Sequence, residues 1–303
     1  MKDLQRQQIA LVTGSSSGIG FETALTLARN GIYTFATMRD LNKSKEILGY
    51  ARKDSLPLET LCLDVTDEHS ILDAINMIID KKNQIDILVN NAGYSLLGPL
   101  EQLHIDEIKT EFETNFFGAI RVMQKVLPIM RKQRCGKIIN ISSIAGRIGY
   151  PLSSAYVSSK FALEGLAESL KYEVQDLGVH VILIEPGVIK TNFVSNMKIG
   201  NRTMILQNRN SNKNNNNNNK IIEENSPYVE ITNKRISVFK PRFERGSSSK
   251  IVADKVLEAV ISDNPKTRYL VGDDALKMME RRNNTSDEEF DRLVMESVLA
   301  NNP

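Results

Sequence analysis

Tyr156 and Lys160 stand four residues apart in Tyr-Val-Ser-Ser-Lys, so on a helix the phenol and the ammonium share one face. An ammonium beside a phenol favours the phenolate and draws a group whose free pKa is ~10 towards working pH. Upstream, residues 136–143 read Gly-Lys-Ile-Ile-Asn-Ile-Ser-Ser, an apolar strand with two serines at its end. A serine hydroxyl converging from there can donate to a substrate oxygen. Together the three side chains can pass a proton to or from a carbonyl or alcohol oxygen. Taken alone, Tyr-x-x-x-Lys also fits a helix with a surface lysine and a half-buried tyrosine, so the elements around it must decide.

Residues 8–13 read as a short buried strand, and 13–20, Thr-Gly-Ser-Ser-Ser-Gly-Ile-Gly, turn it into a helix over 21–30. Glycines there permit a tight turn and let backbone amides approach a pyrophosphate at a helix N-terminus. A second strand, 32–37, ends in Met38-Arg39-Asp40. The acidic residue that grips an NAD ribose falls ~20 residues past the last glycine. Asp40 is near that distance, but Met38 and Arg39 occupy the strand tip. The Arg39 guanidinium could clamp a ribose 2′-phosphate, with Ser17 adding a hydroxyl. The residues favour NADP(H) and leave NAD(H) open, and a solvated loop arginine is the plain alternative.

Further strands are read over 58–63, 86–89, 137–141, 179–184 and 268–271. Asp64-Val65 follows the first of these, where it can meet an adenine edge, and Asn90-Asn91-Ala92-Gly93 follows the second. Helical segments alternate with the strands: a core stripe from Ile71 to Ile79, two segments over 104–134 and a long helix over about 154–176. Asn115 sits inside the apolar stretch 112–120 and must find hydrogen-bond partners, whether a structural water or a bend that it caps. Alternating strands and helices predict an α/β fold, a doubly wound parallel sheet of about seven strands with helices on both faces. Ligands bind such sheets at the strands' carboxyl ends, where the glycine turn, Asp64, Asn90, Ser143 and Pro186 all fall.

From about 193 to 250 the alternation breaks. Residues 201–219 are Asn-rich, with an asparagine run at 214–219, and are expected to be disordered within a substrate lid. An amphipathic helix resumes at 251–261, and the tail 275–299 is helical and charged. The reading is one oxidoreductase domain over 1–303, with a core at 1–192, a lid at 193–250 and the C-terminal elements at 251–303. A net charge of +2 with mixed signs offers no footprint for nucleic acid. The start of the chain is polar, no apolar run approaches ~18 residues, and Cys62 and Cys135 form no disulfide framework or metal cluster, so cytosol is the expected compartment.

With these residues assembled, the chain resembles a short-chain dehydrogenase/reductase over roughly 8–195 and, more weakly, over 251–272. The motifs are Thr13-Gly14-x-x-x-Gly18-Ile19-Gly20, Asp64, Asn90-Asn91-Ala92-Gly93, Asn115, Ser143, Tyr156-x-x-x-Lys160 and Pro186-Gly187 with Thr191. The resemblance implies that Tyr156 is the acid/base. Lys160 would lower its pKa and hold the nicotinamide ribose, and Ser143, rather than its neighbour Ser142, would polarise the substrate oxygen. Asn115 would hold a water linking Lys160 to solvent. The implied cofactor contacts are Gly14, Ser16, Ser17, Gly18, Ile19, Gly20, Arg39, Asp64, Val65, Asn90, Ala92 and Gly93, with Pro186, Gly187, Val188 and Thr191 around the nicotinamide. Residues 36–41, 115–118 and 158–165 are similar to the hydroxysteroid- and retinol-dehydrogenase-like branch, which implies an apolar alcohol or carbonyl substrate. Tyr94, Ser95, Ile144 and residues 150–152 are further pocket candidates. The resemblance also implies a homodimer or homotetramer paired through the two long helices. An NAD-dependent alcohol dehydrogenase and a non-catalytic NAD(P)-binding sensor or scaffold are the alternatives.

Overall fold

The computed structural model describes residues 6–191, 193, 197–200 and 226–299. Seven strands form one parallel sheet: β1 Ile9–Val12, β2 Tyr33–Met38, β3 Leu58–Cys62, β4 Ile87–Asn90, β5 Gly136–Ile141, β6 Val179–Pro186 and β7 Arg268–Val271. Their order across the sheet is β3-β2-β1-β4-β5-β6-β7, with Leu11 beside Phe35 on one side and Leu88 on the other. The central strands are buried on both faces, which is why they read as continuous apolar runs rather than alternating ones.

Helices cover both faces. α1 Gly18–Arg29, α2 Lys45–Lys53 and α8 Ser249–Ile261 pack on one, where Ala24 and Leu27 meet a cluster holding Ile47, Val252 and Val256. α3 Glu68–Lys82, α5 Gly118–Gln133 and α6 Ser154–Val174 pack on the other through Ile75, Val126 and Leu163. The expected pair of segments over 104–134 is α4 Ile105–Phe112 and α5, joined by a wide π-turn at Glu113–Phe117 that holds Asn115. Such turns add a residue to the helical ladder and redirect side chains.

Where sequence alternation fails, the chain builds α7 Val229–Glu244, with Pro241 inside it. α9 Asp273–Asn284 and α10 Asp287–Leu299 follow β7 and close over Ile144 and Ile148. The Asn-rich segment expected to be disordered lies outside the described residues.

Candidate active site

The strand-to-helix turn after β1 is pinned to the turn after β4. Thr13 Oγ1 accepts from the amides of Asn91 (3.0 Å) and Ala92 (3.1 Å), and the Asn91 amide group donates to the carbonyls of Thr13 (2.9 Å) and Gly14 (3.0 Å). Gly14 has φ +69°, and a Cβ there would lie 2.9 Å from Ala92 Cα, so conformation and space both demand glycine. Behind this turn α1 begins at Gly18 with no acidic residue in its first turn and no side-chain cap from Ser17. Its positive end is therefore open to an anion.

A cavity of about 610 Å³ runs along the carboxyl ends of the strands. Gly14, Ser16, Ser17, Gly18 and Ile19 line it, as do Arg39, Asp64, Val65, Ala92, Gly93, Pro186, Gly187, Val188 and Thr191. Asp40 does not: its carboxylate accepts from the Asn42 amide at 3.0 Å and caps the turn after β2. The strand tip thus turns Arg39 to the cavity and Asp40 to local structure. Lys43 lines the same end, a second cation that sequence reading passed over.

Tyr156 and Lys160 both line the cavity from α6, and Ser142 and Ser143 line it from the end of β5. The two serines part there. Ser143 meets the Tyr156 phenol and accepts from the Ala145 amide at 3.1 Å, whereas Ser142 is buried beside Glu164. Lys160 is 5 % exposed, and its ammonium donates to the Ile141 carbonyl at 2.9 Å and sits 5.8 Å from the Tyr156 ring centre. Burial pushes the Tyr156 phenol well above the usual tyrosine range, with the Ser143 contact opposing it and Glu111 adding to it. Desolvation is the largest of these effects, so the phenol is raised where the Tyr–Lys spacing alone anticipates a lowering. Burial likewise pulls Lys160 down to about 8, against the pull of Glu111 and Glu164.

Three expected cofactor or site residues stand behind the wall rather than in it. Asn90 is buried and donates to the Asn140 side chain at 2.9 Å, because it is the last residue of β4 and stands in register beside Asn140 of β5. Gly20 is a packing glycine, since a Cβ would come within 2.5 Å of the Gly14 carbonyl. The Asn115 amide is tied on both sides. It donates to the Tyr94 carbonyl (2.8 Å) and Ser159 Oγ (3.1 Å), and its Oδ1 accepts from the Tyr94 amide (3.0 Å). Its side chain therefore braces residue 94 against α6.

The far end of the cavity carries an aromatic ladder. Tyr156 meets Phe193 edge-on at 5.9 Å, and Phe193 stacks on Phe243 at 6.0 Å. Tyr94, Ser95, Ile144 and Tyr150 line the cavity as expected. Met278, Arg235 and Arg242 join them from helices whose approach no local pattern announces.

Residues 8–201 match the family model for short chain dehydrogenases. The chain belongs to that family. It is accordingly an oxidoreductase. It is 40% identical over 217 residues to a 3-ketodihydrosphingosine reductase of Bacteroides thetaiotaomicron, covering 72% of this chain and 76% of that one. Human retinol dehydrogenase 8 is 42% identical over 188 residues, covering 60% of this chain and 59% of its own length. Among solved structures, ElxO with NADP bound superposes with a TM-score of 0.68 at 27% identity, covering 90% of this chain and 100% of that one. Among the described residues no helix is long and apolar enough to cross a membrane.

Proposed function

We propose that this chain interconverts an apolar secondary alcohol and its carbonyl, with NADP(H) as the hydride carrier. The observation that carries the reading is the convergence of Ser143, Tyr156 and Lys160 on one cavity with the glycine turn and Arg39. The residues present suit a dinucleotide. The uncapped α1 N-terminus would hold the pyrophosphate, Asp64 and Val65 the adenine end, and residues 186–191 the nicotinamide end. NADP(H), when bound, gives or takes the hydride.

The chain's own groups handle the proton. Tyr156, protonated at neutral pH because burial holds its phenol high, donates to the oxygen of a carbonyl being reduced and accepts from an alcohol being oxidised. Ser143, beside that phenol at the end of β5, orients the same oxygen. Lys160, anchored by Ile141, supplies the positive charge that steadies a transient phenolate. The Phe193–Phe243 stack, Ile144 and Met278 offer an apolar bed for the substrate. The relatives' names, a sphingoid ketone reductase and a retinol dehydrogenase, agree with it. α7 serves as the lid over this bed. Phe117, Phe161 and Tyr172, exposed along the π-turn and α6, suit pairing of two copies, and cytosol remains the proposed compartment.

The test is Tyr156→Phe assayed with NADPH against a panel of apolar ketones and aldehydes, retinal and a 3-keto sphingoid base included. Turnover should fall by ~10²–10⁴-fold while NADPH binding stays within about threefold. Activity within tenfold of the parent overturns the assignment. NAD(H) is the second reading, and parallel titration with NADH decides it: tighter NADH than NADPH would displace Arg39 from its role.

A further inference from the structure

Glu111 lies on α4, one helical turn before Asn115, and is 0 % exposed. One carboxyl oxygen accepts from the Leu96 amide at 2.8 Å, and the other has no hydrogen-bond partner among the described residues. A side chain kept only to pack α4 would need no carboxyl, and one kept only to hold Leu96 would be served by glutamine. An ionised carboxylate with a single amide donor costs several kcal/mol in such a place, so an acid retained here has a use for its proton.

The surroundings say which group that use concerns. α4 packs on α6 through Ile108 and Ala155, and Asn115 is bonded to Ser159, the residue before Lys160. Lys160 spends one of its three N–H donors on Ile141, and the two carboxyls acting on it are Glu111 and Glu164. Glu164 is already held by Arg268 at 3.1 Å, so its charge is committed elsewhere. Glu111 has only an amide. The charged and titratable groups that act on it through space are Lys160 from α6, Lys198 from the short strand paired with Leu96–Leu97, and the phenols of Tyr94 and Tyr156, none of them joined to it by a hydrogen bond or ion pair among the described residues.

We propose that Glu111 is the buried counter-charge of Lys160, a positioning residue whose protonation decides how far the Tyr156–Lys160 pair keeps its positive charge. This rests on the proposed roles of those two residues. Burial pushes Glu111 up to about 8, against the pull of the Leu96 amide and the two lysines, and pulls Lys160 down to about 8. The two groups therefore titrate over one range. Below it Glu111 is neutral and Lys160 stands as a lone cation. As pH rises, Glu111 gives up its proton and the new carboxylate holds the ammonium charged to higher pH. The sign is definite: each group must raise the other's tendency to be ionised.

Infrared difference spectra of the purified full chain between pH 6 and pH 10 test this without any substrate, so a failed turnover reading and a failed Glu111 reading give separate results. The carbonyl stretch of a buried protonated carboxyl should disappear with a midpoint near 8. Glu111→Gln should remove that component, which separates it from Glu164, pushed up to about 7. Lys160→Met should move the Glu111 midpoint upward by about 1 pH unit or more, the size expected for losing a nearby opposite charge. Lys160→Ala makes the same comparison where the methionine variant does not fold. A spectrum that Glu111→Gln leaves unchanged, or a midpoint that removal of Lys160 leaves in place, overturns the proposal. A glutamate that merely ties down Leu96 would show neither effect.

Discussion

Arg268 gives the sharpest stability prediction, because the sheet rests two buried carboxylates on it. Its Nε lies 3.1 Å from Glu164 and 3.2 Å from Glu185, and its terminal nitrogen lies 3.3 Å from Glu168. Glu185 is wholly buried and Glu164 nearly so, while Glu168 is exposed and contributes little. In Arg268→Leu, Glu185 keeps Arg147 at 3.2 Å but Glu164 loses the ion-pair partner that holds it at 3.1 Å. Breaking a buried pair by removing one partner costs about 3–5 kcal/mol, and each kcal/mol moves the melting temperature of a chain of ~200 residues by about 2–4 °C. The expected loss at pH 8 is therefore roughly 6–20 °C, at the low end of that range for this longer chain.

The pH dependence identifies the cause. Burial first, and then Glu185, already push Glu164 up to about 7, with Ser142 and Arg268 opposing the rise. The folded state thus binds the Glu164 proton more tightly than the unfolded state, so this group's contribution to stability falls as pH rises from 4.5 towards 7. Without Arg268 the folded pKa climbs further. The deficit against the parent should then be largest at pH 8 and shrink at pH 5.5, where the orphaned carboxyl takes up a proton. Differential scanning calorimetry of both proteins at the two pH values reads this directly. A deficit equal at both, or below about 3 °C at pH 8, would refute the charge argument and leave Arg268 as packing.

Arg39→Ala should weaken NADPH by about 10–100-fold, the worth of one charge-assisted contact, and NADH by less than threefold, as read by nicotinamide fluorescence. Equal loss for both would reduce Arg39 to a surface charge. Gly20→Ala forces a methyl to within 2.5 Å of the Gly14 carbonyl. It should cost about 1–3 kcal/mol in denaturant unfolding and loosen NADPH binding, and an unperturbed dissociation constant would show that the turn is not set by that approach. Asn115→Leu removes the braces to Tyr94 and Ser159. Amide exchange at Tyr94 should quicken by at least tenfold, as losing one bond of about 1.4 kcal/mol implies, and unchanged protection would deny the brace.

Much of this arrangement is local chemistry and could be read from the chain. The glycine turn is legible because φ +69° at Gly14 excludes other residues at low cost. Tyr156 and Lys160 are legible because helical spacing alone puts them on one face. The parallel sheet follows from apolar strands alternating with helices. The rest depended on which way a side chain turns once elements pack. Ser142 and Ser143 are chemically identical neighbours, and only α6 lying over the end of β5 sends one to Tyr156 and the other to Glu164. Asn90 and Asn91 divide in the same way, one against Asn140 of the next strand and the other onto the glycine turn. Arg39 and Asp40 were separable by the cap that Asp40 makes with Asn42. The direction of the Tyr156 pKa reversed for a related reason. A Tyr–Lys spacing records the neighbouring charge, whereas desolvation is a property of everything packed around the phenol, and here it is the larger effect. Glu111 gave no signal at all, being one acid among many on an amphipathic helix until α4, residue 96 and α6 closed around it.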